Sequence, residues 1–443
     1  MSDLPAFPRL SEIAARIAGY DPEALAVAQA RAFIAELVPR VRTIERVALR
    51  QALGRVLAHD IVSPIDVPAH DNSAMDGYAL HGHALRTDDE TVLEVCGTVL
   101  AGGRLDTPVG PGQAVRIMTG APMPAGLDTV VPQELTRLDA QGRLCIPAGL
   151  LRTGDNRRLR GEDLRRGEPA LQAGHILGPA DLGLLASLAC AEVPVRRRLR
   201  VAFFSTGDEL RSIGEPLDDG CVYDSNRYTL HGMLTRLGVD LIDMGVVRDD
   251  PQALRAAFTA AARDADAVIT SGGVSVGEAD HTKAVIRELG EVLFWKIAMR
   301  PGRPMAIGRI GHIDASPEAS SDGHAPGTIL FGLPGNPVAV MVTFYAFVRE
   351  ALLAMSGARA APLPALHAVC DTPLRKKPGR TEFQRGILSP GTDGRWHVRI
   401  TGAQGSGILR SMSEANGLVV LGHEQGSVAA GEIVEVWPFH GLI

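Results

Sequence analysis

Hydrophobic and polar positions fall into three textures along the chain. Between about Arg198 and Gly357, short apolar runs alternate with amphipathic stretches of helical period. LRVAFF (199–204) precedes a helical pattern from about Asn226 to Gly238, then VDLIDMGVV, a helix over 251–263 with Asp250 as N-cap and Pro251 at its first position, and the run Ala267 to Thr270. Strands and helices alternating at this length predict a parallel, doubly wound sheet. From about Val62 to Pro147 the pattern shifts to short strands broken by Gly and Pro, such as VCGTVLAGG and VRIMTGAPMP, which predicts a compact β-rich module. In the last stretch, 366–443, HVRI, GLVVL and EIVEVW are separated by glycine turns, and a small β barrel or sandwich is expected.

The segments flanking the β-rich module read as one discontinuous, helix-containing domain. Asp21-Pro22 reads as the N-cap and first position of a helix through about Leu37, and residues 171–195 as strand, helix and strand. The expected architecture is therefore an α/β multidomain chain of four units: 1–61 with 148–196, 62–147, 197–357 and 366–443. Its 443 residues exceed the size at which a single core stops growing. The polar stretch GHIDASPEASSDGHAP, 311–326, reads as a mobile surface insertion.

Composition narrows the setting. A net charge of -6 argues against a nucleic-acid-binding protein. Five scattered cysteines without a CxxC pair support neither a zinc site nor a disulfide framework, and point to reduced thiols in a cytoplasm. The N-terminus carries charges where a signal peptide needs an apolar core, and the run Val338 to Val348 is too short to span a bilayer, so no membrane is expected.

The candidate chemistry gathers at strand ends. After the run ending at Thr270, Ser271-Gly272-Gly273 leaves backbone N–H groups uncovered, and Ser271 and Ser275 add hydroxyls, a nest suited to an anion. Glu278 and Asp280 follow directly; carboxylates beside an anion nest repel the anion unless a cation such as Mg²⁺ sits between them. Ligands on doubly wound sheets bind beyond the carboxyl ends of the strands. Reading those ends gives Ser205 to Glu209, Asp249 and Asp250, Ser271 to Asp280, Arg300 to Pro304, and Leu333 to Pro337, all on one edge. Arg300 and Arg303, in an Arg-Pro-Gly-Arg-Pro turn, suit a tetrahedral oxyanion, because guanidinium forks bind such oxygens bidentately. In the β-rich module, Asp71, Asn72, Ser73 and Asp76 crowd around a turn, and Thr119-Gly120 forms a second loop of the same kind. The stretch 153–168 is a solvated charged loop by default; the alternative is that Arg157, Arg158 and Arg160 bind phosphate from a partner face.

Taken together, DNSAMDGYA, RIMTGAPMP, NRRLRGED, FSTGDEL, SGGVSVGEAD, RPGRP, GLPGNPVA and GRTEFQRG, in this order, closely resemble the molybdopterin molybdenumtransferase family, the MoeA-type proteins and the C-terminal domain of gephyrin. The resemblance runs from about Pro22 to the C-terminus. It implies an elongated four-domain subunit, a homodimer, and the last step of molybdenum cofactor synthesis, in which adenylylated molybdopterin and molybdate react with Mg²⁺ to give the cofactor and AMP. It further implies catalytic roles for Asp76, Thr119, Asp163, Glu209, Asp249 and Asp280, with Glu209, Asp249 and Asp280 at the metal. Substrate binding is implied for Ser271, Gly272, Gly273, Ser275, Arg300, Arg303, Pro304, Arg380 and Ser406. Many relatives carry lysines in KPGKP where this chain has arginines, which keeps the charge but changes the geometry. Adenylylation of molybdopterin, a gephyrin-like scaffold role, and tungstate in place of molybdate stay open as alternatives.

Overall fold

The computed structural model describes residues 8–273, 281–311, 327–359 and 364–439. Six strands form its central sheet: β1 (Arg200–Thr206), β2 (Asp240–Val247), β3 (Ala267–Ser271), β4 (Gly290–Lys296), β5 (Pro304–Ile310) and β6 (Thr328–Leu333), in the order β2-β1-β3-β6-β5-β4. Helix α1 (Ser225–Arg236) links β1 to β2, α2 (Pro251–Asp264) links β2 to β3, and α3 (His281–Leu289) precedes β4. Strands β2, β1, β3 and β6 are parallel, as the alternating pattern predicts, but β5 runs antiparallel to both neighbours. Only residues 297–303 separate β4 from β5, and a parallel crossover needs about a dozen residues or more.

Strand β1 is buried on both faces beyond its first residue, and its side chains alternate between two cores. Val201 and Phe203 join one core; Ala202 and Phe204 join the other, against α2 and α3. The first core also takes Leu10 and Ile13 from helix Leu10–Arg16 and Ala30, Phe33, Ile34 and Leu37 from helix Val27–Leu37. These two N-terminal helices thus pack on the central sheet, although the sequence groups them with the discontinuous domain. The second of them starts at Val27 rather than Pro22. Residues 22–25 are drawn into pairing with the β4–β5 connection: Lys296 N donates to Pro22 O at 2.7 Å and Ala298 N to Leu25 O at 2.8 Å. Asp21 caps only a local turn, accepting from Glu23 N at 2.9 Å.

The discontinuous domain closes where Ile44–Ala48 pairs with Glu192–Arg196 and Ile61–Val62 with Pro169–Leu171. Between these segments lies the β-rich module, a six-stranded sheet ordered Thr129–Pro132, Gly77–Leu80, Gln113–Ile117, Thr91–Val99, Leu144–Ile146, Arg137–Leu138. At the other end of the chain, five strands from Leu366 to Pro438 close into a barrel through the pairing of Thr381–Pro390 with Gly417–Leu421. The helical run Pro337–Met355 is long and apolar enough to cross a bilayer, with 19 residues and mean hydropathy 1.7, but it is a core element, 72% buried inside the protein. The insertion 311–326 lies outside the described residues, apart from Gly311 at its edge.

Candidate active site

Beyond the carboxyl ends of β1, β3 and β6 opens a cleft of about 1440 Å³. Because β5 is antiparallel, its first residue, Pro304, lies at the same edge, and the β4–β5 connection crosses the cleft carrying Arg300 and Arg303. The barrel supplies the opposite wall with Arg380 and residues Gln404 to Gly407. Glu209, Asp249, Gly272, Gly273, Arg300, Arg303, Pro304, Arg380 and Ser406, nine of the residues singled out in the sequence, therefore line one cavity. Ser271 lies buried just beneath it.

Local geometry accounts for several of these residue types. Gly272 has φ +93°, and a Cβ there would lie 2.5 Å from Thr206 O; at Gly273, φ is +67° and a Cβ would meet Thr282 Oγ1 at 2.4 Å. The first approach packs the β1 and β3 ends against each other at the switch point, where chain order reverses across the sheet, and the second packs the turn against the start of α3. Asp249 is held through its backbone, its N–H donating to Asp208 Oδ1 at 3.3 Å. Met299–Arg300 adds to the barrel as a short parallel strand beside Thr381–Glu382, so the barrel fixes the arginine turn. Arg380 is oriented by Glu382, whose buried carboxylate accepts from Nε at 2.8 Å and Nη2 at 2.7 Å. Ser406 is anchored through its carbonyl, which accepts from Val338 N at 3.1 Å.

Three further side chains of this region escape sequence reasoning. Arg385 is 1% exposed and donates to Gly405 O at 2.9 Å, to Gln404 O at 3.2 Å and to Ser411 Oγ at 3.0 Å, bracing the loop that carries Ser406. Burial, and secondarily the nearby Arg300 guanidinium, push its pKa down to about 10. Asp224 caps α1 by accepting from Arg227 N at 3.1 Å, and Asn226 reaches out of the first turn of α1 toward the cleft floor. Their signals were present: Arg385 is in phase with inward-facing Phe383, and Asp-Ser-Asn directly precedes a helical pattern.

Asp76 and Thr119 meet in the β-rich module. Asp76 Oδ1 accepts from Thr119 N at 2.7 Å and from Thr119 Oγ1 at 2.8 Å, and these bonds hold the carboxyl below its usual range. Asp163 is exposed on a loop tied to the module's entry by its N–H donating to Val67 O at 3.0 Å. None of these three lines the cleft. Ser275 and Asp280 lie outside the described residues. Among the described residues no trio of His, Cys, Asp or Glu is placed to hold a metal ion; Glu209 and Asp249 share the cleft as hard oxygen donors.

Comparison with known proteins bears on this geometry. Family models match three segments: "MoeA N-terminal region (domain I and II)" over residues 25–189, "Probable molybdopterin binding domain" over 202–354, and "MoeA C-terminal region (domain IV)" over 367–439. The chain is 40% identical over 420 residues to molybdopterin molybdenumtransferase of Haemophilus influenzae, covering 95% of this chain and 100% of that protein. It is 36% identical to the protein of the same name from Nostoc sp., with 91% of each covered. The crystal structure of the molybdopterin biosynthesis MoeA protein from Pyrococcus horikoshii OT3 superposes with a TM-score of 0.78 at 27% identity, covering 94% of this chain and 99% of that one.

Proposed function

Because this chain belongs to the molybdopterin molybdenumtransferase (MoeA) family, we propose that its cleft inserts molybdate into adenylylated molybdopterin, releasing AMP with the help of Mg²⁺, in a cytoplasmic homodimer. The observation that carries this reading is the charge division inside one cavity. Glu209 and Asp249 lie on the β1–β2 side, and Arg300, Arg303 and Arg380 on the side shared with the barrel. The volume of about 1440 Å³ exceeds that of ordinary small-ligand pockets and admits a ligand of dinucleotide size.

The residues divide the work by charge. The arginines would hold a tetrahedral dianion through forked hydrogen bonds. Glu209 and Asp249, with Asp280, would hold Mg²⁺, which when bound shields phosphate charge and polarises the phosphoanhydride. Gly272 and Gly273 let the chain turn with positive φ tight against Thr206 and Thr282 at the cleft wall, where the pyrophosphate would lie. The barrel wall, fixed through the pairing at Arg300, keeps the oxyanion beside the nucleotide and limits water around it.

Purified protein incubated with adenylylated molybdopterin, Mg²⁺ and molybdate should release AMP, and omission of either ion should abolish release. Tungstate run in parallel determines the oxyanion preference. Arg300→Ala and Arg303→Ala should each weaken molybdate binding about tenfold or more, the loss of a charge-assisted hydrogen bond, with a smaller effect on AMP affinity. AMP release that is indifferent to molybdate would remove the insertion chemistry from this cleft.

A further inference from the structure

Asn226 belongs to none of the motifs that carry the family resemblance, yet its side chain is placed differently from those of its neighbours. It is 8% exposed and is the second residue of α1, inside the first turn rather than at the capping position before it. Here the cap is already supplied by Asp224, whose carboxylate accepts from Arg227 N. Asn226 instead spends both hydrogens of its amide across the sheet edge. Nδ2 donates to Ser271 Oγ at 2.7 Å and to Gly335 O at 2.6 Å, residues 45 and 109 positions away in sequence. The amide orientation follows from chemistry, because the Gly335 carbonyl can only accept. The remaining Oδ1 is buried without a hydrogen-bond partner.

The two loops it joins are the Ser-Gly-Gly turn after β3 and the Pro-Gly-Asn-Pro turn after β6. They already touch: Gly272 N donates to Leu333 O at 3.1 Å, and a Cβ on Gly335 would lie 3.8 Å from Gly272 Cα. Both turns line the cleft floor, as does Asn226 itself. Leu and Val contacts hold the strands beneath them but do not fix turns that consist largely of glycine and proline. One amide bridging both turns does.

We propose that Asn226 is a positioning residue that locks the Ser-Gly-Gly and Pro-Gly-Asn-Pro turns at the spacing required to bind the phosphate end of the nucleotide. This assignment rests on the nucleotide reading of the cleft for its ligand, but not for the lock itself. The lock requires a side chain with two donors on one atom at this reach. Asn226→Asp keeps the shape, removes both donors and sets a carboxylate against the Gly335 carbonyl; Asn226→Ala removes the bridge without adding charge.

Amide hydrogen exchange on the ligand-free protein tests the lock. In Asn226→Ala and Asn226→Asp, exchange should rise about tenfold at residues 272–273 and 335–336 together, while the buried strands β1 and β3 keep wild-type protection, so that unfolding is distinguished from loosening. Ser271→Ala cuts one arm only and should loosen the first turn but not the second. Calorimetric titration with AMP should show affinity lowered about tenfold or more in both Asn226 variants, with molybdate binding changed less. Unchanged exchange at either turn, or unchanged AMP affinity, overturns the proposal. Wild-type protein that fails to bind AMP sinks the nucleotide reading, and the exchange data then still decide whether the lock exists.

Discussion

Arg385 and His397 show how single side chains in the barrel acquire properties that their sequence neighbours do not announce. The Arg385 guanidinium is braced by carbonyls and a hydroxyl from residues 403–411, whose identity as neighbours depends on barrel closure. Strand alternation marks it as inward-facing, but no local pattern tells what it meets inside. The cleft carboxylates and glycines were legible for the opposite reason. They sit where a strand ends, and the doubly wound fold sends every such end to one edge. His397 is held between two carboxylates, with Nδ1 2.7 Å from Asp371 Oδ1 and Nε2 3.2 Å from Asp393 Oδ1. Asp371 first, and then Asp393, raise its pKa above the ordinary 6.5. A raised folded pKa means that the contribution to stability is fully present below 6.5 and is lost as pH rises through the folded value. The imidazole resonances should therefore titrate above 6.5 in the native protein, and His397→Gln should lower the melting temperature at pH 6 by more than at pH 9. An equal effect at both pH values would show that the imidazole contributes only packing.

At the scale of elements, the strand–helix alternation from 198 onward was readable because each period is long enough to separate cleanly. The reversal of β5 and the late start of helix Val27–Leu37 were not, since the first follows from the short 297–303 link between β4 and β5 and the second from pairing of residues 22–25 with 296–298, rather than from a local pattern. The same hairpin logic gives a prediction for the polar insertion between β5 and β6. Ile310 pairs with Thr328, and the residue just beyond each strand end, on the side of the insertion, is a glycine with positive φ: Gly311 at +95° and Gly327 at +86°. A Cβ on Gly311 would lie 4.0 Å from Gly327 Cα, so the two ends already face each other. Two-residue hairpin turns of type I′ need positive φ at both central positions. Deleting residues 312–326 should therefore join Gly311 directly to Gly327 in a tight turn, or through one or two added Gly-Ser residues if the direct join is strained. The shortened protein should melt within about 3 °C of wild type and keep its transferase activity. A much larger drop would mean that the segment supplies contacts to the core.

At the scale of the whole molecule, the described residues implicated by the family resemblance are not gathered in one place. Glu209, Asp249 and the arginines line the cleft, whereas Asp76 and Thr119 are joined to each other in the β-rich module, which contributes nothing to the cleft wall. Around the Asp76 turn apolar side chains stay open: Met75 in the module and Leu159, just after the Arg157–Arg158 strand that pairs with it, are each nearly half exposed, and Val62 and Ile65 are exposed on the module's entry segment. Apolar residues gathered beside a polar turn are what a protein contact would cover. A two-fold dimer would lay the module of one subunit over the cleft of the other and, being isologous, would complete both sites at once. Asp76→Ala and Glu209→Ala should accordingly each be inactive as homodimers. Subunit exchange between the two variants should restore up to about a quarter of wild-type activity, because random pairing makes half the dimers mixed and each mixed dimer holds one site with neither lesion. Differently tagged chains would report the exchange itself. Activity that stays at zero after confirmed exchange would place Asp76 and Glu209 in the same subunit's site and leave the exposed face of the module for some other partner.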